Sequence, residues 1–188
     1  MAESADNKID AAALGLTLLP EFISANEEAE LLAQINKVAP SRQKKVPMRN
    51  SIRRYGSSEP YFDNVVSPTI PDHFLSLCQR LVEQKLVAAM PDSVTVNEYY
   101  AGQVIKAHVD RINAGPVITI LSLGSPAVME FARGDQQFSV KLFPRGLVQL
   151  RNEIRYDWTH AIAPVPGLRY SLVFRDSASC ITNTRAFK

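Results

Sequence analysis

The chain has 188 residues, 46% of them hydrophobic and 21% charged, with a formal net charge of +2. That is the size and balance of one globular domain with a real core, and so small a charge does not by itself argue for a nucleic-acid partner. No run reaches the ~20 apolar residues of a membrane span, the acidic start has no basic n-region of a secretion signal, and Cys78 and Cys180 lack metal-ligand spacing. The expectation is a monomer of the cytosol or nucleus, with no membrane and no disulfide framework.

In chain order, residues 1–12 read as a disordered leader and residues 13–188 as a single domain. Residues 14–22 are apolar and suit a short strand that turns at Pro20. Ser24, with Glu27 three residues later, is a capping-box signature. Behind it Ala29, Leu31, Leu32, Ile35 and Val38 recur at helical spacing until Pro40. Residues 41–70 hold breakers and little periodicity. A second helix begins near Asp72, with Phe74, Leu77, Cys78, Leu81, Val82 and Leu86 on one side, and stops before Pro91. From Val94 the pattern changes to short strands: 94–100, 117–123, 128–131, 137–142, 147–150 and 170–174. Gly134-Asp135 is a hairpin turn between two of them. Two helices followed by six or more short strands predict an α+β protein, a sandwich or jelly roll with helices packed on one sheet.

The chemistry-bearing residues lie in the strand half. His108 and Asp110 form an H-x-D pair, which in an extended segment places both side chains on one face. Such a pair arises by chance in roughly a quarter of chains of this composition, so its surroundings decide its meaning. His160 is the candidate third ligand, because His73 reads as a surface residue at a helix start. Two imidazoles and a carboxylate on one face of an ion are the usual site of non-heme Fe(II) oxygenases. Downstream, Arg169, Ser171, Val173 and Arg175 share one face of a strand, so both guanidiniums point the same way. Facing a core, they require an anion, either native carboxylates or a bound dicarboxylate.

These residues also carry a family resemblance. Asn97-Glu98-Tyr99-Tyr100-Ala101-Gly102, continuing to His108-Val109-Asp110, resembles the N-x-Y-x-x-G-x(5)-H-x-D motif of AlkB-type Fe(II)/2-oxoglutarate dioxygenases. Arg169-Tyr170-Ser171-Leu172-Val173-Phe174-Arg175 resembles that family's R-x-N-x-T-F-R strand. Residues 121–125 and Trp158-Thr159-His160 resemble recurrent family segments, and the likeness runs from about residue 14 to 176. The resemblance implies Fe(II) ligands at His108, Asp110 and His160. It implies 2-oxoglutarate contacts from Asn97, Tyr99, Arg169, Ser171 and Arg175, with Arg169 at the distal carboxylate and Arg175 nearer the metal. It implies a double-stranded β-helix over 94–176, N-terminal helices on one sheet, and a nucleotide-recognition lid at 41–70. Two positions depart from the pattern: Ile112 stands where the bacterial repair enzyme has a carboxylate, and Ser171 replaces the family's asparagine.

The lid region supports a nucleic-acid substrate. Residues 41–54 contain Arg42, Lys44, Lys45, Arg49, Arg53 and Arg54 with no acid, followed by Tyr55 and then Tyr61-Phe62. Cations pair with phosphates and rings stack on an extruded base. Arg53, Arg54 and Tyr55 are therefore the candidate substrate contacts. The expected activity is O₂-dependent hydroxylation of N-alkyl groups on DNA or RNA bases, releasing formaldehyde, succinate and CO₂. The alternatives are the same chemistry on a protein side chain or a tRNA wobble base, and an inactive jelly-roll module that only binds nucleic acid.

Overall fold

The computed structural model describes residues 9–39, 51–57 and 67–177. Expectations for Arg42, Lys44, Lys45, Arg49, Tyr61, Phe62 and Cys180 lie outside the described residues. In chain order the elements are β1 (Leu16–Leu19), α1 (Ala25–Asn36), β2 (Ser51–Gly56), α2 (Asp72–Glu83), β3 (Ser93–Tyr99) and β4 (Ile105–His108). A 3-10 turn (Ile112–Ala114) leads to β5 (Ile118–Gly124), β6 (Ala127–Arg133), β7 (Gln136–Leu142) and β8 (Leu147–Leu150). Then come α3 (Asn152–Tyr156), β9 (Thr159–Ile162) and β10 (Arg169–Arg175).

The strands form two antiparallel sheets, the double-stranded β-helix that the sequence predicts. One has the order β1-β8-β5-β10-β3-β2, the other β4-β9-β6-β7. Period-two alternation divides the large sheet between two cores. Its inward residues, among them Ile118, Ile120, Val148 and Val173, meet Met129, Phe131 and Ile162 of the small sheet. Its outward residues, among them Val94, Val96, Leu121, Leu123 and Leu172, are covered by Leu31 and Ile35 of α1 and Phe74, Leu77, Cys78 and Leu81 of α2. Strands buried on both faces read as largely apolar runs, as β5 and β8 do, interrupted by the buried Thr119, Ser122 and Gln149. The helices thus brace the back of the large sheet, leaving its front for the site.

Helix α1 starts where the sequence places it. The Ser24 hydroxyl accepts from the Glu27 N–H at 3.2 Å, and Glu27 Oε2 accepts from the Ser24 N–H at 2.8 Å. The helix ends at Asn36, one turn before Pro40, and the Val38 carbonyl accepts from Arg53 Nε instead of continuing the helix.

Three expectations are corrected. The 1–12 leader is too long, because Ile9 and Ala11 are half-buried against the inter-sheet core. The 41–70 region is not irregular throughout, because residues 51–56 form β2, the edge of the large sheet, in antiparallel register with β3. Strands β4 and β9 and helix α3 are also present, each too short for its periodicity to stand out. Among the described residues, no helix is long and apolar enough to cross a membrane.

Candidate active site

The three candidate ligands converge. His108 ends β4 and pairs in register with His160 on β9, which sets the two rings 4.4 Å apart. Asp110 follows two residues after His108 and turns back, so that its Oδ2 lies 3.5 Å from His160 Nε2. The donor atoms of all three lie within 4.8 Å of one another, close enough for one ion. His108 Nδ1 lies 2.9 Å from the Lys106 carbonyl. A proton on Nδ1, donated to that carbonyl, leaves Nε2 with its lone pair for a metal, the arrangement that orients ligating imidazoles.

The charges suit metal binding at neutral pH. Burial opposes the Asp110 charge, yet the Arg175 guanidinium and then His160 hold its pKa down to about 2. Burial pushes His160 down to about 4, against the pull of Asp110. Asp110 is therefore a carboxylate and His160 a neutral imidazole, so the contact between them is no ion pair until the imidazole is protonated.

The two arginines on β10 part company in their partners. Arg175 donates from Nη2 to Asp110 Oδ1 at 3.0 Å and from Nη1 to Thr95 Oγ1 at 3.3 Å. Its anion is native. Arg169 is 0% exposed. Its Nη2 donates to Ser122 Oγ at 3.1 Å and its Nη1 reaches the Ser125 carbonyl at 3.4 Å. Its Nε is buried with no hydrogen-bond partner, and no carboxylate among the described residues pairs with it. Burial accordingly lowers the Arg169 pKa, with Tyr99 opposing. A buried, unpaired charge costs several kcal/mol, so the site is built to receive an anion there.

Ser171 lies between the two arginines on β10. It accepts from Asn97 Nδ2 at 3.3 Å and also hydrogen-bonds the Tyr99 side chain, while the Arg169 guanidinium sits 5.8 Å from the Tyr99 ring centre. All the predicted cofactor contacts, Asn97, Tyr99, Arg169, Ser171 and Arg175, line one cavity of about 370 Å³ with the three candidate ligands.

The substrate contacts need correction. Of the three, only Arg54 faces the cavity. Side chains alternate along β2, so Arg53 and Tyr55 point to the opposite face. There Arg53 donates to Glu98 Oε2 at 2.7 Å and to the Val38 carbonyl at 2.6 Å, and it is 5% exposed. Tyr55 packs edge-on against Phe74 in the helical core. Ile52, which no motif flagged, lines the cavity beside Arg54, and so does Arg111. His73 is half-buried on Phe74, away from the site.

Comparisons with known proteins agree with this geometry. The sequence profile of the 2OG-Fe(II) oxygenase superfamily matches residues 15–175. The tRNA (carboxymethyluridine(34)-5-O)-methyltransferase alkbh8 of Xenopus tropicalis is 30% identical over 158 residues, covering 80% of this chain and 25% of that protein. An uncharacterised protein, L905, of Acanthamoeba polyphaga mimivirus is 29% identical over 156 residues, covering 80% and 73%. The chain thus spans about a quarter of the length of the first of these relatives. Among solved structures, OsALKBH1 superposes with a TM-score of 0.65 at 18% identity, covering 86% of this chain and 98% of that one. A Pseudomonas putida prolyl-4-hydroxylase superposes at 0.62 and 16%, covering 88% and 95%. At these identities the two structures speak for the fold alone.

Proposed function

The chain belongs to the 2OG-Fe(II) oxygenase superfamily and is a 2-oxoglutarate-dependent dioxygenase, and from that premise we propose that it is of the AlkB type and hydroxylates N-alkyl groups on nucleic-acid bases. Its cofactors are Fe(II) and 2-oxoglutarate. The residues fit both. Two imidazoles and a carboxylate are the donor set for Fe(II) with open positions, and Arg169 lacks the anion that a dicarboxylate supplies.

In this reading His108, Asp110 and His160 would hold the iron, with Arg175 orienting the Asp110 carboxylate through its hydrogen bond to Oδ1. Arg169 would bind a carboxylate of 2-oxoglutarate through charge-assisted hydrogen bonds, with Ser171, Asn97 and Tyr99 lining the same cavity. Bound together, iron and 2-oxoglutarate supply the power to hydroxylate a C–H bond with O₂, the keto acid leaving as succinate and CO₂. The remaining work falls to the protein: Met129, Ile120 and Ile162 give the cavity an apolar wall beside its polar groups. Hydroxylation of a carbon attached to nitrogen yields a hemiaminal, which breaks down to release formaldehyde. Arg54 and Arg111 at the cavity suit a polyanionic substrate.

The observation that carries this reading is the fully buried Arg169, with no carboxylate partner among the described residues, in one cavity with the converged triad. Its test is succinate and formaldehyde release across a panel of methylated DNA and RNA oligonucleotides, with iron, 2-oxoglutarate and ascorbate added. Coupled release with one class of methylated base supports it. Succinate without formaldehyde from every member contradicts it.

One observation favours a second substrate. Ile112, where the bacterial repair enzyme has a carboxylate, is 77% exposed on the turn next to Arg111. A hydrocarbon there cannot hydrogen-bond a base edge, and a modified wobble uridine in tRNA is the nucleoside that several relatives are named for. Hydroxylation of such tRNA, with no activity on methylated oligonucleotides, is the outcome that selects this reading.

A further inference from the structure

Arg155 is the second-largest fully buried side chain of the described residues, 1% exposed. It lies on α3, the short helix between β8 and β9, five residues before His160. Its guanidinium fork donates to three backbone carbonyls of one loop. Nη1 reaches the Asp110 carbonyl at 2.9 Å, Nη2 the Arg111 carbonyl at 2.6 Å, and Nε the Gly115 carbonyl at 3.2 Å. Those are the first residue, the second and the last of the segment 110–115. In between, the Ala114 N–H closes on the Arg111 carbonyl at 3.0 Å, forming the 3-10 turn.

This segment does three jobs. It carries the carboxylate of the triad, it presents Arg111 to the cavity, and it projects Ile112 into solvent beside it. The guanidinium spreads its donors over three nitrogens in a fixed plane, one for each carbonyl; the donors of a lysine ammonium all radiate from a single nitrogen and do not reproduce that spread. We propose that Arg155 is the positioning residue of the site, fixing residues 110–115 so that the Asp110 carboxylate and the substrate-facing Arg111 and Ile112 are set before anything binds. Gly115 anchors the other end of the clamp. Its φ is +102°, and a Cβ there would come within 2.7 Å of the Asp176 carbonyl oxygen. Glycine lets the loop close against β10 while offering its own carbonyl to Arg155.

The inference rests on the proposed role of His108, Asp110 and His160 as metal ligands. Its test is anaerobic titration of the full chain with Co(II) alone, followed by visible absorption, with circular dichroism to establish folding at the same temperature. R155K binds Co(II) about ten- to a hundredfold more weakly than wild type while still folded. G115A, which forces the loop off Asp176 and pulls the Gly115 carbonyl from the Arg155 fork while leaving the guanidinium itself unchanged, shows a loss of the same kind. L81A, a destabilising change in the distant helical layer, leaves Co(II) affinity unchanged, as a purely structural loosening would not. Wild-type affinity in folded R155K overturns the inference, and so does an equal loss in L81A. Should R155K fail to fold, G115A decides alone, wild-type affinity overturning the inference and weaker binding supporting it. A wild-type chain that binds no Co(II) sinks the metal-site reading and this inference with it, whereas wild-type binding that R155K retains sinks the inference alone.

Discussion

Arg169 carries its charge where water does not reach, and its burial has consequences of opposite sign for stability and function. With nothing bound, Arg169→Met removes an uncompensated buried charge, so thermal unfolding of the cofactor-free variant occurs at the wild-type midpoint or above it. With 2-oxoglutarate present, the same variant loses a charge-assisted pair of about 1.5–3 kcal/mol, a ten- to hundredfold rise in KM for the keto acid. A variant that unfolds earlier and keeps the wild-type KM makes Arg169 a structural residue. At this scale the sequence was legible wherever alternation fixed a direction. The shared face of Arg169, Ser171 and Arg175 follows from period two, and the cavity contains all three. What alternation could not tell was the source of each counter-charge. Asp110 satisfies Arg175 through a contact between residues 65 apart in the chain, which no local pattern records. The error at Arg53 and Tyr55 came from treating a charge run as a surface loop, when β2 turns Arg53 and Arg54 to opposite faces.

Among the elements, α1 shows the reverse case, a segment whose local chemistry suffices to place it. Its capping box is complete, and Arg80 of α2 adds an ion pair to Glu27 across the helix–helix contact. The hydrogen bond from Arg80, then that from the Ser24 N–H, holds the Glu27 pKa down to about 2, below its ordinary 4.5. A carboxyl depressed in the folded state adds stability above its unfolded pKa and loses it as pH falls. Glu27→Gln therefore costs about 1 kcal/mol at pH 7, a modest figure because the pair is partly exposed. In urea unfolding the gap between variant and wild type narrows as pH falls from about 4.5 to about 2; a gap independent of pH contradicts the assignment. The polar contact behind β2 obeys another rule. Arg53 and Glu98 are both buried, so Arg53→Met alone strands a carboxylate and costs about 3–5 kcal/mol, while the double change to Arg53→Met and Glu98→Leu recovers most of it. Urea midpoints of the single and double variants measure this, and equal losses in both exclude a coupled pair. Short β4 (IKAH) and β9 (THAI) escaped the sequence reading because, unlike the equally short β8 (LVQL), they are too mixed in polarity to stand out, although they hold both histidines.

At the scale of the whole molecule, two layers divide the labour. Helices α1 and α2 stabilise the back of the large sheet, and the small sheet closes over its front to form the cavity. Cys78 reports on the first layer. It is 0% exposed, and burial pushes its thiol pKa up to about 12. In a Cys180→Ser background it resists alkylation at neutral pH until the helical layer opens, and labelling of the native chain at the rate of a free thiol contradicts that packing. The jelly-roll class was legible from the strand count and turn signals, since turn chemistry is local. The pairing of β1 with β8 and of β4 with β9 was not, because it depends on contacts far apart in sequence. The central claim is that His108, Asp110 and His160 hold one Fe(II) with 2-oxoglutarate anchored beside it by Arg169. Anaerobic addition of Fe(II) and 2-oxoglutarate, monitored for the visible charge-transfer band of an iron-bound keto acid, tests it most directly. The account predicts a stoichiometric band in the wild-type chain, its loss in Asp110→Ala and His160→Ala, and a band in Arg169→Met that needs ten- to hundredfold more keto acid. A wild-type chain without the band, or an Asp110→Ala chain that keeps it unchanged, would contradict the account.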